Sequence, residues 1–388
     1  MYSKFGVLII FVISSLLLSS CNDDPASAGL VILNDGDLIT VNPDSSFVTS
    51  ISHFKVAPFF SGGNPLLLGR YKNVSSKMLI EFSIALPDTI KTGVLDNSIT
   101  VSQTWVEMTP AYSAGNKSAQ FDFNVYKIIS GWPGSNYFTS DSLAKLVTDP
   151  AVLKISSTVT DTLYSFGLNA LSANNWFKDT TAALAGLYFE PNSNIDKMIG
   201  FQNLNNASAG DIMKMIVVFE KPGVYKDTLT FFPSENLHLV TGDIPAIPQD
   251  RIVLQGGISL HSRIKFKLPN IPFGSVINSA VLDVTMDPAD TLDFGSPSQL
   301  SLLAMFATDT TKNSYDSTKT FKLTRTAGGL VFSGDISGIV QRWVLNEANN
   351  GVELSILNDI GSVDMIKLLG AESVMRPRLK VIYTAKKP

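Results

Sequence analysis

The sequence predicts an all-β chain: two tandem antiparallel β-sandwich domains, jelly-roll-like, with a few short helices. Three observations predict it. Apolar and polar residues alternate in many short runs, these runs are separated by Gly, Pro, Asn and Asp with no regular helix between them, and one series of elements occurs twice. At about 150 residues per domain, the chain beyond residue 20 suggests two domains or three small ones. Apolar residues make up 45% and charged residues 16%, which requires large cores and excludes disorder for most of the chain. With 30 basic against 34 acidic side chains, nucleic acid is not an expected partner.

The first element is a leader. Lys4 is followed by Phe5 to Leu18, apolar apart from Gly6, Ser14 and Ser15, which is the layout of a secretory signal and too short to span a bilayer comfortably. Leu18, Ser19, Ser20 and Cys21 resemble the lipobox of bacterial lipoproteins. Cys21 is the only cysteine, so the chain forms no internal disulfide, and lipidation accounts for both its number and its place. The competing reading is an ordinary secretory signal with a stray thiol. Asn22, Asp23 and Asp24 are similar to the surface-export signals of Bacteroidetes-type lipoproteins. The expected organisation is a signal peptide at 1–20, an acidic tether at 21–40, a first sandwich at 41–225 and a second at 226–388. A cut near Lys226 is then expected to release a C-terminal piece that folds alone. The expected location is the outer membrane, displayed outside the cell, with the N-terminal lipid as the membrane contact.

The strands follow from period-two alternation. "QFDFNV" puts Phe121, Phe123 and Val125 on one face, and "MKMIVVF" does the same with Met213, Met215, Val217 and Phe219. "SRIKFKL" sets Ile264, Phe266 and Leu268 against Arg263, Lys265 and Lys267, the pattern of a half-buried strand; "RLKVIY" repeats it with Leu379, Val381 and Tyr383. Helix is expected at "GDISGIVQRWV", where Ile336, Ile339, Val340, Trp343 and Val344 form one stripe behind Asp335 as N-cap. A second short helix is expected at Ser142 to Val147, stopped by Asp149 and Pro150.

The series starting at Met78, "MLIEFSIALPDTIKTGVLDNSITVSQ", reappears from Ser262 as "SRIKFKLPNIPFGSVINSAVLDVTM". The order continues in parallel, with "QFDFNVYKI" answering "QLSLLAMF", Trp176 answering Trp343, and "MKMIVVF" answering "RLKVIY". The second copy carries "INSAVLDV", "QRWV", "NNGVELSI" and "GAESVMRPRLKVIY", and in these pieces it resembles the DNRLRE-type domain. Glu372, Ser373 and Arg376 to Tyr383, with Asn349, Asn350 and Gly351, are the most specific parts. The resemblance covers roughly 226–388; the first copy lacks both the "NNG" and the arginine-proline. It implies a jelly-roll sandwich like that of carbohydrate-binding modules, on secreted and surface proteins. Physical reasons for these residues exist without any ligand. Asn350 and Gly351 suit a turn with positive φ, Trp343 a core anchor, and Glu372 with Arg376 an ion pair that fixes the last loop.

No catalytic constellation is present. His53, His238 and His261 are isolated in sequence, with no partner at metal-ligand spacing, and read as structural or surface histidines. The chain holds no G-x-S-x-G elbow and no glycine-rich phosphate loop, and no cofactor is expected. Asp283, Asp287, Asp290 and Asp293 lack the turn glycine and closing glutamate of a helical calcium loop and read as a solvated strand end, so no metal is expected. What remains for a ligand is aromatic: Trp105, and Trp132, Tyr137 and Phe138 in "SGWPGSNYF", where ring faces suit sugar rings. The competing reading folds Trp132 back over the end of the sandwich.

The leading expectation is a non-catalytic, lipid-anchored surface protein that binds or scaffolds extracellular polysaccharide. The alternatives are a structural or adhesive protein with a protein partner, and a polysaccharide-degrading enzyme whose paired carboxylates sequence spacing does not reveal. If Cys21 carries the anchor, Cys21→Ser moves the protein from the detergent phase to the aqueous phase with its folded domains intact. Retention with membranes would refute the lipobox reading.

Overall fold

A computed structural model of the chain describes residues 38–41, 47–56, 65–116, 118–130, 147–160, 162–178, 186–203, 212–268, 270–289 and 301–385. The fold is all-β, built from antiparallel sheets with three short helices among the described residues. Alternation works as expected in Arg378–Thr384, where Leu379, Val381 and Tyr383 are buried while Arg378 and Lys380 are exposed.

The first repeat is a sandwich of two sheets. Its smaller sheet runs Tyr225–Phe231, Lys214–Lys221, Thr100–Met108, Tyr164–Leu168, Lys154–Val159. Its larger sheet runs Pro110–Gly115, Lys197–Phe201, Leu66–Tyr71, Val74–Phe82, Gly186–Pro191, Phe123–Ser130, Val147–Thr148, with Pro233–Gly242 also paired to Val74–Phe82. Both contribute to one core, in which Phe82, Phe166, Phe189, Phe201 and Phe219 are fully buried.

The second repeat has the same plan. Its smaller sheet runs Leu38–Val41, Arg378–Thr384, Val276–Thr285, Val331–Asp335. Its larger sheet runs Ser314–Leu323, Leu302–Asp309, Val352–Ile356, Leu260–Lys267, Arg251–Gln255, Met365–Leu369, with Phe47–Lys55 also on Leu260–Lys267. The likeness extends to single bonds. In the long hairpin of each repeat a buried serine donates to a carbonyl nine residues back, Ser76 to Leu67 and Ser262 to Val253, both at 2.7 Å.

The strands do not follow the partition expected at 225/226. Tyr225–Phe231 pairs with Lys214–Lys221, and Pro233–Gly242 pairs with Val74–Phe82, so residues 225–242 complete the first repeat. The equivalent places in the second repeat are filled from the far end of the chain: Leu38–Val41 pairs with Arg378–Thr384, and Phe47–Lys55 with Leu260–Lys267. The physical reason is chain continuity. A turn at 222–224, with Gly223 at φ 70°, folds residues 225–231 straight back onto the strand just made, which leaves the corresponding positions of the second repeat open for the N-terminal strands.

Helices lie at Asp88–Leu95, Ala170–Lys178 and Ser337–Val344. The last is the expected one, but its N-cap position is Ile336 with no side-chain cap; Asp335, the expected cap, lies one residue earlier and accepts the Ser337 N–H at 2.7 Å. The first two were not anticipated. Ala170–Lys178 buries Trp176 and Phe177, so Trp176 does answer Trp343. The helix expected at Ser142 to Val147 lies largely outside the described residues; Val147 itself begins a short strand.

Because Leu38 pairs with Thr384, a chain running 243–385 and continuing through a short turn into 38–56 holds every strand of the second repeat. That permuted fragment is expected to show a cooperative thermal melt by circular dichroism, and the plain 226–388 fragment is not. The opposite pair of results would show that the second repeat closes without the N-terminal strands.

Candidate functional site

The motif residues of the second repeat are spent on backbone. Asn349 Nδ2 donates to Phe266 O and Asn350 Nδ2 to Thr308 O, each at 2.8 Å, so the pair ties the start of Val352–Ile356 to both neighbouring strands. Gly351 sits at φ 98°, and a Cβ there would lie 2.7 Å from Ile264 O, which only glycine avoids. In "QRW", Gln341 Oε1 accepts the Ile277 N–H at 2.8 Å and its Nε2 donates to Ser275 O at 3.1 Å. Arg342 pairs with Asp316 and Glu347 and lies over the Phe306 ring, 3.7 Å from its centroid. Trp343 is buried in the core, as expected. Asp287 bonds Arg251 Nε at 2.5 Å, so its carboxylate is already spent; Asp290 and Asp293 lie outside the described residues.

Of the aromatic ligand candidates, Trp105 is described; Trp132, Tyr137 and Phe138 lie outside the described residues, as does Cys21. Trp105 stands half-buried on the outer face of the smaller sheet, its neighbours Val106 and Met108 pointing alternately into the core. Its cross-strand partners are Gly167 on one side and Ile216 on the other, and the Ser156 and Ile155 side chains reach over the place where Gly167 has no Cβ. The indole N–H donates to Glu107 Oε1 at 2.9 Å, and Lys214 bonds the other Glu107 oxygen at 3.1 Å. Burial pushes the Glu107 carboxyl up, but the bonds from Trp105 and Lys214 outweigh it and hold it below its ordinary value. The row is therefore a fixed aromatic face edged by one anion and one cation.

A second cluster was not visible in the sequence. His261 is only 2% exposed, with Nδ1 2.7 Å from Glu353 Oε1 and Nε2 3.0 Å from Asp359 Oδ2. Arg263, expected beside the outward lysines, is buried: it packs on the Phe54 ring and reaches Glu353 Oε2 at 3.4 Å. Burial lowers the His261 pKa, but the two carboxylates overcome this and hold it at about 9. With both ring nitrogens donating, His261 is a charged bridge and has no free nitrogen for proton transfer. The usable signal was Glu353, one carboxylate within the wholly buried strand "VELSI".

Asp359 belongs to the loop 357–364, where the two repeats join. Ile360 O meets His238 Nε2 from the first repeat at 3.1 Å, Tyr112 Oη donates to Asp364 Oδ1 at 2.8 Å, and the Val363 N–H donates to Tyr112 Oη at 3.1 Å. Around these bonds Leu67, Val74 and Met198 pack against Val253, Leu260 and Val363 in one buried cluster. Burial drives the His238 pKa down to about 4, against the pull of the Ile360 carbonyl. Burial also holds the Asp364 carboxyl above its ordinary value, despite its bonds from Tyr112 and Ser362. Beside the joint opens a cleft of about 1060 Å³, lined among others by Lys55, Arg70, Tyr71, Asp196 and Asp243.

No family profile and no curated protein matches the chain. Among solved structures, the pilus backbone of Streptococcus pneumoniae aligns over 83% of this chain and 99% of its own, with 10% identity and a TM-score of 0.16, agreement too low to bear on fold or function.

The two histidines give stability opposite slopes around their common unfolded pKa of 6.5. Folded His238 refuses a proton until about pH 4, so its contribution is lost as pH falls from 6.5 to 4. Folded His261 keeps its proton to about pH 9, so its contribution is lost as pH rises from 6.5 to 9. Each limb is on the order of 3 kcal/mol. Urea unfolding across this range is expected to show His238→Gln flattening the acid limb and His261→Gln the alkaline limb. If either variant leaves its own limb unchanged, that histidine does not carry it.

Proposed function

We propose that this chain is a non-catalytic, lipid-anchored cell-surface protein of the DNRLRE type whose first repeat holds extracellular polysaccharide. The observation that carries the reading is the outward row Trp105, Glu107 and Lys214. A half-buried aromatic ring on the outer face of the sheet suits the C–H face of a sugar ring, and Glu107 and Lys214 supply hydrogen-bond groups at its edge. The tether implied by Cys21 enters through Leu38, a strand of the second repeat, which leaves the sheet of Trp105 in the repeat further along from the anchor. A non-catalytic role accords with the use of His261, whose two ring nitrogens bond Glu353 and Asp359.

A structural or adhesive role with a protein partner is favoured by a different observation. The joint at 357–364, with its buried cluster of side chains from both repeats, braces the two against each other, which is what a spacer needs.

A glycan array with the chain lacking residues 1–21 separates the readings. Binding to one polysaccharide class is expected, and Trp105→Ala is expected to abolish it while costing far less stability than Trp343→Ala, for which about 3 to 5 kcal/mol is the usual loss of a buried tryptophan. Silence across the array would favour the structural role. Release of shortened glycan would mean an enzyme.

A further inference from the structure

We propose that two copies of this chain join by exchanging their N-terminal strand pairs, so that Leu38–Val41 and Phe47–Lys55 of one copy complete the second repeat of the other. Both repeats need such a pair. One strand lies along the last strand of the smaller sheet and the next along the long central strand of the larger sheet. In the first repeat the pair is supplied by residues 225–242, which follow the receiving strand Lys214–Lys221 through a three-residue turn. In the second repeat the pair comes from the opposite end of the chain and is joined to the rest only by residues 56–65.

The receiving site recognises a backbone ladder and a few side chains, and every copy carries the identical donor. The bonds made within one chain and between two chains are therefore the same, and the balance rests on effective concentration, of about millimolar order for a strand tethered to its own acceptor. The donor is also less deeply buried than its counterpart, although Val48 and Ile51 pack against the core. Along Leu38–Val41 and Phe47–Lys55 only Val41 and Phe54 are buried, whereas Pro233–Gly242 buries Leu237, His238, Leu239 and Val240. Its departure uncovers the edges of Leu260–Lys267 and Arg378–Thr384, two strands with core residues whose open N–H and C=O groups accept the same strands from a second copy.

Geometry sets the connection's reach. Lys55 donates through Nζ to Gly242 O and lines the same cleft as Tyr71 and Val74, whereas Leu66 begins at the opposite end of the strand that finishes at Tyr71. Closing within one chain means running back along that strand, about 17 Å. Deleting residues 58–63 leaves a connection that covers about this distance only when fully straight, which favours exchange over closure.

The test uses the chain from residue 22, which has no cysteine. One preparation carries Ser50→Cys and the other Lys265→Cys, two positions that face each other across the donor and receiving strands. The preparations are mixed at millimolar concentration, partly unfolded, returned to native conditions and oxidised, with and without the 58–63 deletion. A disulfide from position 50 of one chain to position 265 of the other, identified by peptide mass spectrometry, is expected in both mixtures and dominant in the shortened one, together with a doubling of mass in light scattering. Absence of that link from the unshortened mixture, or a shortened chain that stays monomeric with a native melt, overturns the proposal. Links confined to 50-to-50 and 265-to-265 overturn it as well, since they need only random collision.

Discussion

The pairing of the chain's first strands with its last repeat is the constraint on which the rest of the molecule depends. Leu38–Val41 along Arg378–Thr384 and Phe47–Lys55 along Leu260–Lys267 convert two repeats in series into a closed body. Without them the second sandwich would have two open edges, one on each sheet, each a row of unpaired backbone groups. With them, the first repeat can keep its own strand pair through a tight turn at no cost in topology, and Leu38 lies beside the C-terminal strand.

The joint at residues 357–364 completes the closure by a different chemistry. Three side chains grip one loop: His238 its Ile360 carbonyl, Tyr112 its Asp364 carboxylate and Val363 N–H, His261 its Asp359 carboxylate. Burial makes these bonds specific and costly to break, since a buried polar group left without its partner loses its full solvation. One histidine serves neutral and the other charged, because one faces a carbonyl and the other two carboxylates. The reserved roles of Asn349, Asn350, Gln341 and Arg342 follow the same logic at the backbone of the second repeat.

Much of the fold was legible in the sequence, and the reasons are local. Alternation in "RLKVIY" and "MKMIVVF" fixes which side chains enter a core, and "NNG" announces a positive φ that Gly351 supplies. Trp176 and Trp343 were recognisable as equivalents because each holds the same place in the repeated order, although the helix around Trp176 was not. The partnership of the strand pairs was not legible, because a strand's pattern specifies its faces and says nothing about which of two similar edges it joins. Arg263 was misplaced for a related reason. Its alternation with Lys265 and Lys267 reads as a solvent face, but Phe54 and Glu353, distant in sequence, cover its end of the strand. His261 looked isolated because its carboxylate partners lie more than ninety residues away.

The central claim is that residues 47–55 lie on the second repeat and not on the first. Nitroxide labels in the cysteine-free soluble chain test it directly, with Phe47→Cys paired in one sample with Lys267→Cys and in another with Glu81→Cys. The first pair sits on adjacent strands, Cα atoms about 5 Å apart, and is expected to show strong dipolar broadening in dilute monomer. The second is expected to show none. Broadening in the Phe47 and Glu81 sample, with none in the other, would place the N-terminal strands on the first repeat and contradict the account.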